Sequence, residues 1–79
     1  MKVTVHLHSS LQVQTPDGPR RKVDIDLDEN AAMEDLISSL KLKIGPERLL
    51  LGINGEIAKL TDMLHDGDHV HLMLPISGG

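Results

Sequence analysis

Apolar residues recur at every second position in four stretches of the chain and at helical spacing in only one. The alternation covers residues 3–7, 23–27, 49–53 and 70–74 and is typical of strands that bury one face. The helical spacing places four apolar side chains on one side of a short helix: Met33, Leu36, Ile37 and Leu40. Neither the helix nor a one-faced sheet can bury its apolar surface alone. The sequence therefore predicts a two-layer α+β domain with the helix packed across the sheet.

Turn and capping signals divide the first half of the chain. The stretch TPDGP (residues 15–19) combines proline with Asp-Gly and predicts a hairpin between the first two strands. We expect the helix over residues 31–40, with Asn30 as its N-cap. The dipeptide Gly45-Pro46 prevents the helix from continuing.

The second half of the chain predicts three further strands. A third strand follows from the alternation of Leu49, Leu51 and Ile53. Residues 57–60 predict a short edge strand after the Asn-Gly turn, and HDGD (residues 65–68) predicts a turn before the last strand.

The core must be built without aromatic rings or disulfides, because the 79 residues include no Cys, Phe, Tyr or Trp. A chain of this length forms one small domain. The predicted core consists of aliphatic side chains from both layers: Val3, Val5, Leu7, Val23, Ile25, Leu36, Ile37, Leu40, Leu51, Ile53, Leu64, Val70 and Leu72.

Composition excludes several classes of partner. A formal charge of −4 and the lack of aromatic stacking platforms argue against nucleic acid. The one basic cluster, Arg20-Arg21-Lys22, is interpreted as a solvated strand start. No apolar run approaches the ~20 residues of a membrane span, and no signal peptide opens the chain. We expect a soluble, cytoplasmic protein with no membrane partner.

The last third of the chain carries a recognisable series of motifs. It contains Asn54-Gly55-Glu56 after a strand, then Leu64, an Asp66-Gly67-Asp68 turn, a final strand, Pro75 and Gly78-Gly79. This series resembles the ending of the family formed by molybdopterin-synthase small subunits and thiamin sulfur carriers. The order of elements over the whole chain is similarly that of the ubiquitin-like, or β-grasp, fold.

The resemblance implies a fold and a function. It implies a mixed four- to five-stranded sheet with one helix across it, whose first and last strands are parallel neighbours, formed by residues 1–75. It implies a sulfur carrier whose C-terminal carboxylate, on Gly79, is adenylated with ATP by an activating enzyme. A sulfur donor then produces a thiocarboxylate, and an acceptor synthase subunit receives the sulfur for molybdopterin, thiamin or related biosynthesis. The protein would be a co-substrate without a catalytic site or a cofactor of its own.

The terminal residues suit that chemistry. We expect residues 76–79 to form a flexible, extended tail, because Pro75 cannot donate a backbone hydrogen bond to continue the sheet. The tail consists of Ile76, Ser77, Gly78 and Gly79, and it spans up to about 14 Å when extended. Glycine lets the backbone enter a narrow channel of a partner enzyme, since it has no Cβ.

Histidines form a second candidate site. Because Val3, Val5 and Leu7 are expected in the core, the intervening histidines should lie on the opposite, open face of the sheet. We expect four histidines there, joined by two apolar residues, on the face with which related carriers contact their partners: His6, His8, His69, His71, Leu50 and Met73. Imidazoles also suit Zn²⁺ or Ni²⁺, but side chains on a flat face point in parallel, so we predict no metal site.

The acidic residues favour structural interpretations. Asp66 and Asp68 flank a glycine and predict a turn rather than a catalytic pair. Asp24, Asp26 and Asp28 alternate along one strand and lack the glycine-containing loop of a calcium site, so they predict a solvated acidic face.

Three kinds of function remain open from the residues alone. The first is the sulfur carrier, and the second is a ubiquitin-like modifier conjugated to other proteins through the same Gly-Gly tail. The third is a non-catalytic binding module whose tail is inert. No nucleophile triad or phosphate-binding loop is present in the sequence.

Overall fold

The structure is a computed structural model that describes residues 1–75. The predicted tail of Ile76, Ser77, Gly78 and Gly79 lies outside the described residues. The described chain contains one α-helix, one short 3₁₀ helix at Pro46–Arg48 and seven strands. The helix is α1 (Met33–Leu40), and the strands are β1 (Lys2–Leu7), β2 (Val13–Thr15), β3 (Gly18–Arg20), β4 (Lys22–Asp26), β5 (Leu50–Ile53), β6 (Glu56–Ile57) and β7 (His69–Met73).

Five of the strands form one mixed sheet in the order β4-β1-β7-β5-β6. The first and last strands, β1 and β7, are parallel neighbours in the middle of the sheet, and every other pair in it is antiparallel. This confirms the predicted α+β architecture of a mixed sheet with one helix. The remaining strands, β2 and β3, pair with each other as a separate small hairpin.

The predicted antiparallel pairing of residues 3–7 with residues 23–27 is confirmed, because β1 pairs with β4. The predicted short connection between them was wrong, since residues 8–21 join the two strands. The turn at TPDGP closes the small β2–β3 hairpin within that connection, where Gly18 has a φ of 107°. The motif predicted a turn at the right residues, but hydrophobic alternation alone does not reveal that a second hairpin is inserted before β4.

The helix begins at Met33 rather than at residue 31, and Asn30 does not cap it. Asn30 has a φ of 72° and belongs to the preceding turn, whereas Ala32 occupies the N-cap position. Asp35 takes over part of the capping, because its carboxylate accepts a hydrogen bond from the Ala32 N–H at 2.9 Å.

Two free amides at the start of α1 are satisfied by a distant part of the chain. The Met33 N–H donates to the carbonyl of Asp62 at 2.8 Å, and the Glu34 N–H donates to the carbonyl of Leu60 at 3.0 Å. The predicted edge strand over residues 57–60 is shorter and earlier than expected, at Glu56–Ile57. The residues beyond it are therefore free to meet the helix.

One face of the sheet and the apolar stripe of α1 form the core. Val3, Val5, Val70 and Leu72 are fully buried, as is Leu36 on the helix. This confirms the predicted helix phase. Val23, Ile25 and Ile53 are only partly buried, because β4 is an edge strand and Ile53 ends β5. Residues that the predicted core lacked are also buried: Leu11, Ala31, Ala32, Met33 and Leu49.

Truncation of Leu36 tests the packing between the two layers. Leu36→Ala leaves a cavity between helix and sheet and should lower the free energy of unfolding by about 2–5 kcal/mol. The matched control is Ile57→Ala, since the Ile57 side chain is 94% exposed and its loss should cost less than about 0.5 kcal/mol. Urea unfolding followed by circular dichroism measures both. Equal stability of the two variants would contradict this packing.

Candidate functional site

The open face of the sheet carries the four histidines that the alternation predicted there. In the parallel pair of β1 and β7, His6 lies opposite His71, and Val5 lies opposite Val70 in the core. Strand periodicity turns His8 and His69 to the same side. The structure therefore confirms that the four imidazoles share one face.

The four rings form one continuous stack, which we term the histidine column: His69, His6, His71 and His8, in that spatial order. The ring centroids of His69 and His6 are 5.3 Å apart. Those of His6 and His71 are 4.5 Å apart with an angle of only 8° between the ring planes. The last step, from His71 to His8, is 5.2 Å.

Hydrogen bonds join the column in two pairs. His6 Nε2 and His69 Nδ1 are 3.0 Å apart, and His8 Nε2 and His71 Nδ1 are 2.9 Å apart. In each pair one ring nitrogen donates its N–H and the other accepts, so each contact needs at least one unprotonated imidazole nitrogen. The pairing is therefore incompatible with two protonated rings in the same pair.

Burial and mutual repulsion oppose protonation at the centre of the column. Desolvation lowers the pKa of His6, and the neighbouring histidines His71 and His69, Lys22 on β4 and His8 lower it further. Desolvation also lowers the pKa of His71, with added repulsion from His8 and His69. The lowered pKa values of His6 and His71 keep these two central rings neutral at pH 7.

The rings lie face to face and do not surround a point. Among residues 1–75, no three His, Asp or Glu side chains converge in a way that could hold a metal ion. The parallel strands explain this, because they hold neighbouring side chains at similar heights and in similar directions.

An apolar groove adjoins the column. Leu50 is the register partner of Met73, and both line a groove of about 330 Å³ together with His71 and Ile57. Leu50 is 48% exposed and Ile57 is 94% exposed. The structure thus brings the predicted Leu50 and Met73 beside the histidines. Ile57 was not predicted as part of the site, since nothing in the sequence distinguishes an exposed isoleucine on an edge strand from a buried one.

The two acidic motifs have structural roles. Gly67 has a φ of 87°, as expected of the Asp66-Gly67-Asp68 turn. The Asp68 carboxylate accepts hydrogen bonds from the Asn54 side-chain amide at 2.9 Å and from the His65 N–H at 2.8 Å. The Asn54 side-chain oxygen in turn accepts from the His69 N–H at 2.9 Å. The Asn-Gly and Asp-Gly-Asp turns are therefore linked, and together they position the first residue of β7.

The acidic strand β4 is a solvated face. Asp24 and Asp26 are exposed, and the Asp24 carboxylate accepts a hydrogen bond from the Thr4 hydroxyl at 2.8 Å. Arg20, Arg21 and Lys22 are also exposed. Within residues 1–75, α1 is too short to cross a bilayer, and no other helix meets the length and hydrophobicity of a membrane span.

The chain matches a known protein family: the sequence model of the ThiS family covers residues 12–79. No curated protein matches the chain in sequence. Among solved structures, the chain is similar to SAMP1 from Haloferax volcanii, with 22% identity and a TM-score of 0.72 over 100% of both chains.

Two further solved structures share the fold. A Pyrococcus furiosus protein described as molybdopterin converting factor, subunit 1, has 24% identity and a TM-score of 0.72, covering 95% of this chain and 98% of that one. Urm1 from Trypanosoma brucei has 18% identity and a TM-score of 0.70, covering 99% of this chain and 95% of that one. These likenesses show a ubiquitin-like β-grasp fold.

The lowered pKa values of His6 and His71 predict a loss of stability in acid. Because the folded state binds these protons more weakly than the unfolded chain, whose imidazole pKa is about 6.5, stability is complete above that pH. It falls as the pH drops through that value and levels off below the folded pKa values. Replacing His71 with glutamine should reduce this acid-dependent loss.

The measurement is the thermal midpoint of each protein at about pH 7.5 and about pH 5.5, on either side of the imidazole pKa. Only the difference between the two midpoints is compared, so that any change in packing cancels. Met73→Gln is the matched control, because it alters the same face of β7 without removing an ionisable group. A pH difference in His71→Gln as large as in Met73→Gln would refute the assignment.

Proposed function

Because this chain belongs to the ThiS family, we propose that it is a sulfur carrier whose Gly79 carboxylate becomes a thiocarboxylate. Members of that family are carrier proteins rather than enzymes and hold no cofactor of their own. The chain would act as the co-substrate of an activating enzyme, which binds ATP and supplies the catalytic groups. The finished thiocarboxylate would pass its sulfur to an acceptor synthase subunit.

The observation that carries this proposal is the extent of the family match. It runs from residue 12 to residue 79 and so includes Gly78 and Gly79. A carboxylate that must reach the α-phosphate of ATP inside another protein has to enter through a narrow channel. Two residues without a Cβ let that channel close around the backbone itself.

The proposed chemistry has two steps. A Gly79 carboxylate oxygen attacks the α-phosphorus of ATP, and pyrophosphate leaves, which produces an acyl-adenylate. A sulfur donor of the persulfide or sulfide class then attacks the acyl carbon and displaces AMP. Sulfide gives the thiocarboxylate directly. A persulfide gives an acyl disulfide, whose S–S bond a thiol reductant then cleaves, so that the C-terminus carries sulfur in place of one oxygen and the donor leaves as a thiol.

The described structure supports delivery of the tail away from the sheet. The last strand ends at Met73, and Pro75 has no N–H with which to continue a ladder. Because β7 lies in the middle of the sheet between β1 and β5, its end is held by hydrogen bonds on both sides. The strand that precedes the proposed tail is therefore held in the sheet as far as Met73.

We assign docking of the activating enzyme to the open face: His6, His8, Leu50, His69, His71 and Met73. The face combines an apolar groove with the histidine column and lies on the strand that leads to the tail. An apolar centre beside polar groups is typical of a protein interface.

A ubiquitin-like modifier is the second candidate. The Haloferax volcanii relative is described as a small archaeal modifier protein. A lysine amine of another protein would attack the same acyl-adenylate, or a thioester made from it, and form an isopeptide bond. The fold and the terminal glycines serve both outcomes equally, so the product of the reaction distinguishes them.

Intact-mass spectrometry tests the proposal. Incubation with a cognate activating enzyme, ATP and a sulfur donor should raise the mass by about 16 Da, the difference between sulfur and oxygen. Isopeptide adducts on other proteins would instead identify a modifier. Neither product with any cognate activating enzyme would contradict both functions.

Variants of the tail locate the chemistry. Deletion of Gly79, or addition of one residue after it, should abolish the mass change, because the carboxylate is displaced or blocked. Ser77→Ala is the matched control, since it keeps the chain length and both glycines, and it should react like the unaltered protein. Unimpaired reaction of the deletion variant would contradict Gly79 as the reacting residue.

A charge variant tests the docking face. His71→Glu should weaken binding to the activating enzyme at least tenfold, because it places a charge beside the apolar groove. Gln12→Glu is the control. Gln12 is exposed and lies in a separate groove, between residues 10–14 and 39–44, away from the histidine column. Titration calorimetry with thermal unfolding as a check gives both values, and equal affinity of the two variants would exclude this face.

A further inference from the structure

The two imidazole pairs limit how many protons the column can accept. When both rings of a pair are neutral, they hold two N–H groups, of which one lies in the N–H···N bond and one points away from it. Each pair therefore presents one outer N–H and one outer bare nitrogen, whichever ring donates. Within the described residues these outer nitrogens make no further hydrogen bond.

One extra proton per pair is compatible with this geometry, and a second is not. The first proton binds the outer bare nitrogen, so the inner hydrogen bond survives with a charged donor, which strengthens it. A second proton would place an N–H on both inner nitrogens, which are 3.0 and 2.9 Å apart in the two pairs. The column can thus gain two protons before it must come apart.

The charges around the column do not favour that gain in the free protein. The two pairs meet where His6 and His71 stack at 4.5 Å, so protons on both pairs repel each other. The charged side chains on the same face of the sheet are of both signs: Lys2 on β1, and Lys22, Asp24 and Asp26 on β4. Lys22 is the register partner of His6, and the Asp24 carboxylate is engaged by the Thr4 hydroxyl.

We propose that the histidine column is a recognition site for carboxylates of a partner protein, and that it takes up protons as the partner binds. A carboxylate placed over the column accepts hydrogen bonds from the outer N–H groups and compensates the added charge. Each pair that receives a carboxylate gains one proton from solvent, so binding takes up one or two protons in total. The column then presents outer N–H donors on both rings of each occupied pair.

The surroundings indicate an acidic protein segment as the partner. The adjoining groove is lined by Leu50, Met73 and Ile57, which suits an apolar side chain next to the carboxylates. Nucleic acid could also supply anions, but its phosphates bring no apolar side chain to fill the adjoining groove. That this partner segment belongs to the activating enzyme rests on the proposed function; the carboxylate site itself does not.

The sign of the pH dependence follows from proton linkage. The complex holds more protons than its separated components, so affinity rises as the pH falls. Each proton taken up increases the affinity by roughly tenfold per pH unit at most, within the range in which the free column is neutral. A face that binds only through its apolar groove would show no such slope.

The test uses two short peptides and no activating enzyme. The ¹⁵N-labelled full-length chain is titrated with acetyl-Leu-Glu-Glu-Leu-amide, and the control peptide replaces both glutamates with glutamine. Imidazole ¹⁵N resonances report which rings bind and whether they gain protons. At about pH 6.5, the ordinary imidazole pKa, the glutamate peptide should shift the four column resonances toward their protonated positions, and the glutamine peptide should not.

Variants distinguish a column effect from a general effect of histidine. Replacing both members of a pair with glutamine, His6 with His69 or His8 with His71, should remove the proton uptake of that pair, while replacing all four should remove it all. The control is His65→Gln, because the His65 side chain is 80% exposed and lies outside the column, and it should bind like the unaltered chain.

Three results would overturn the proposal: no shift at millimolar glutamate peptide, equal shifts with both peptides, or binding that does not change between about pH 7.5 and pH 6. The proposed function fails in a different experiment, the intact-mass measurement, if no mass change occurs with activating enzyme, ATP and a sulfur donor. Either hypothesis can therefore fail while the other stands.

Discussion

The parallel pairing of the first strand with the last is the interaction on which the rest of the structure depends. It joins Val5 to Val70 and Leu7 to Leu72 in register, and all four side chains lie in the core. Parallel strands cannot be closed by a tight turn, so the chain between them must cross over, and α1 covers the sheet on the way. Without this pair the sheet would divide into two hairpin-like halves, β1–β4 and β5–β6–β7.

The same pairing gives the two faces of the sheet different side chains. On the buried face it aligns aliphatic side chains under α1, and on the open face it aligns His6 with His71. The histidine column is therefore built by the register that builds the core, and a slip of one residue would exchange the two sets. A surface specified in this way needs no loops, because the register of two strands alone brings its side chains together.

The amino-acid composition explains why this surface is unusual. With no Phe, Tyr or Trp in the chain, imidazoles are the only flat rings available, and all but His65 are in the column. They contribute stacking like aromatic residues, but they also carry exchangeable protons. The buried layer is filled by Leu, Ile, Val and Met, whose branched and flexible shapes pack without polar atoms. Core packing and the proposed recognition role are thereby divided between residue types.

The sequence by itself determined the two-layer architecture, the helix phase and the family, because hydrophobic period and turn motifs are local properties that each residue carries with it. Leu36 lies where its spacing placed it, and Asp66-Gly67-Asp68 turns as its composition requires. Only the tertiary structure decided that Asp35 caps α1 while Asn30 does not, since the residues around position 62 hold the helix start. It also decided which imidazoles bond to each other and that Ile57 borders their groove. The imidazole bonds and the contact of Ile57 with the groove join residues more than ten positions apart. Their geometry depends on cross-strand register and side-chain rotamers that no local pattern encodes.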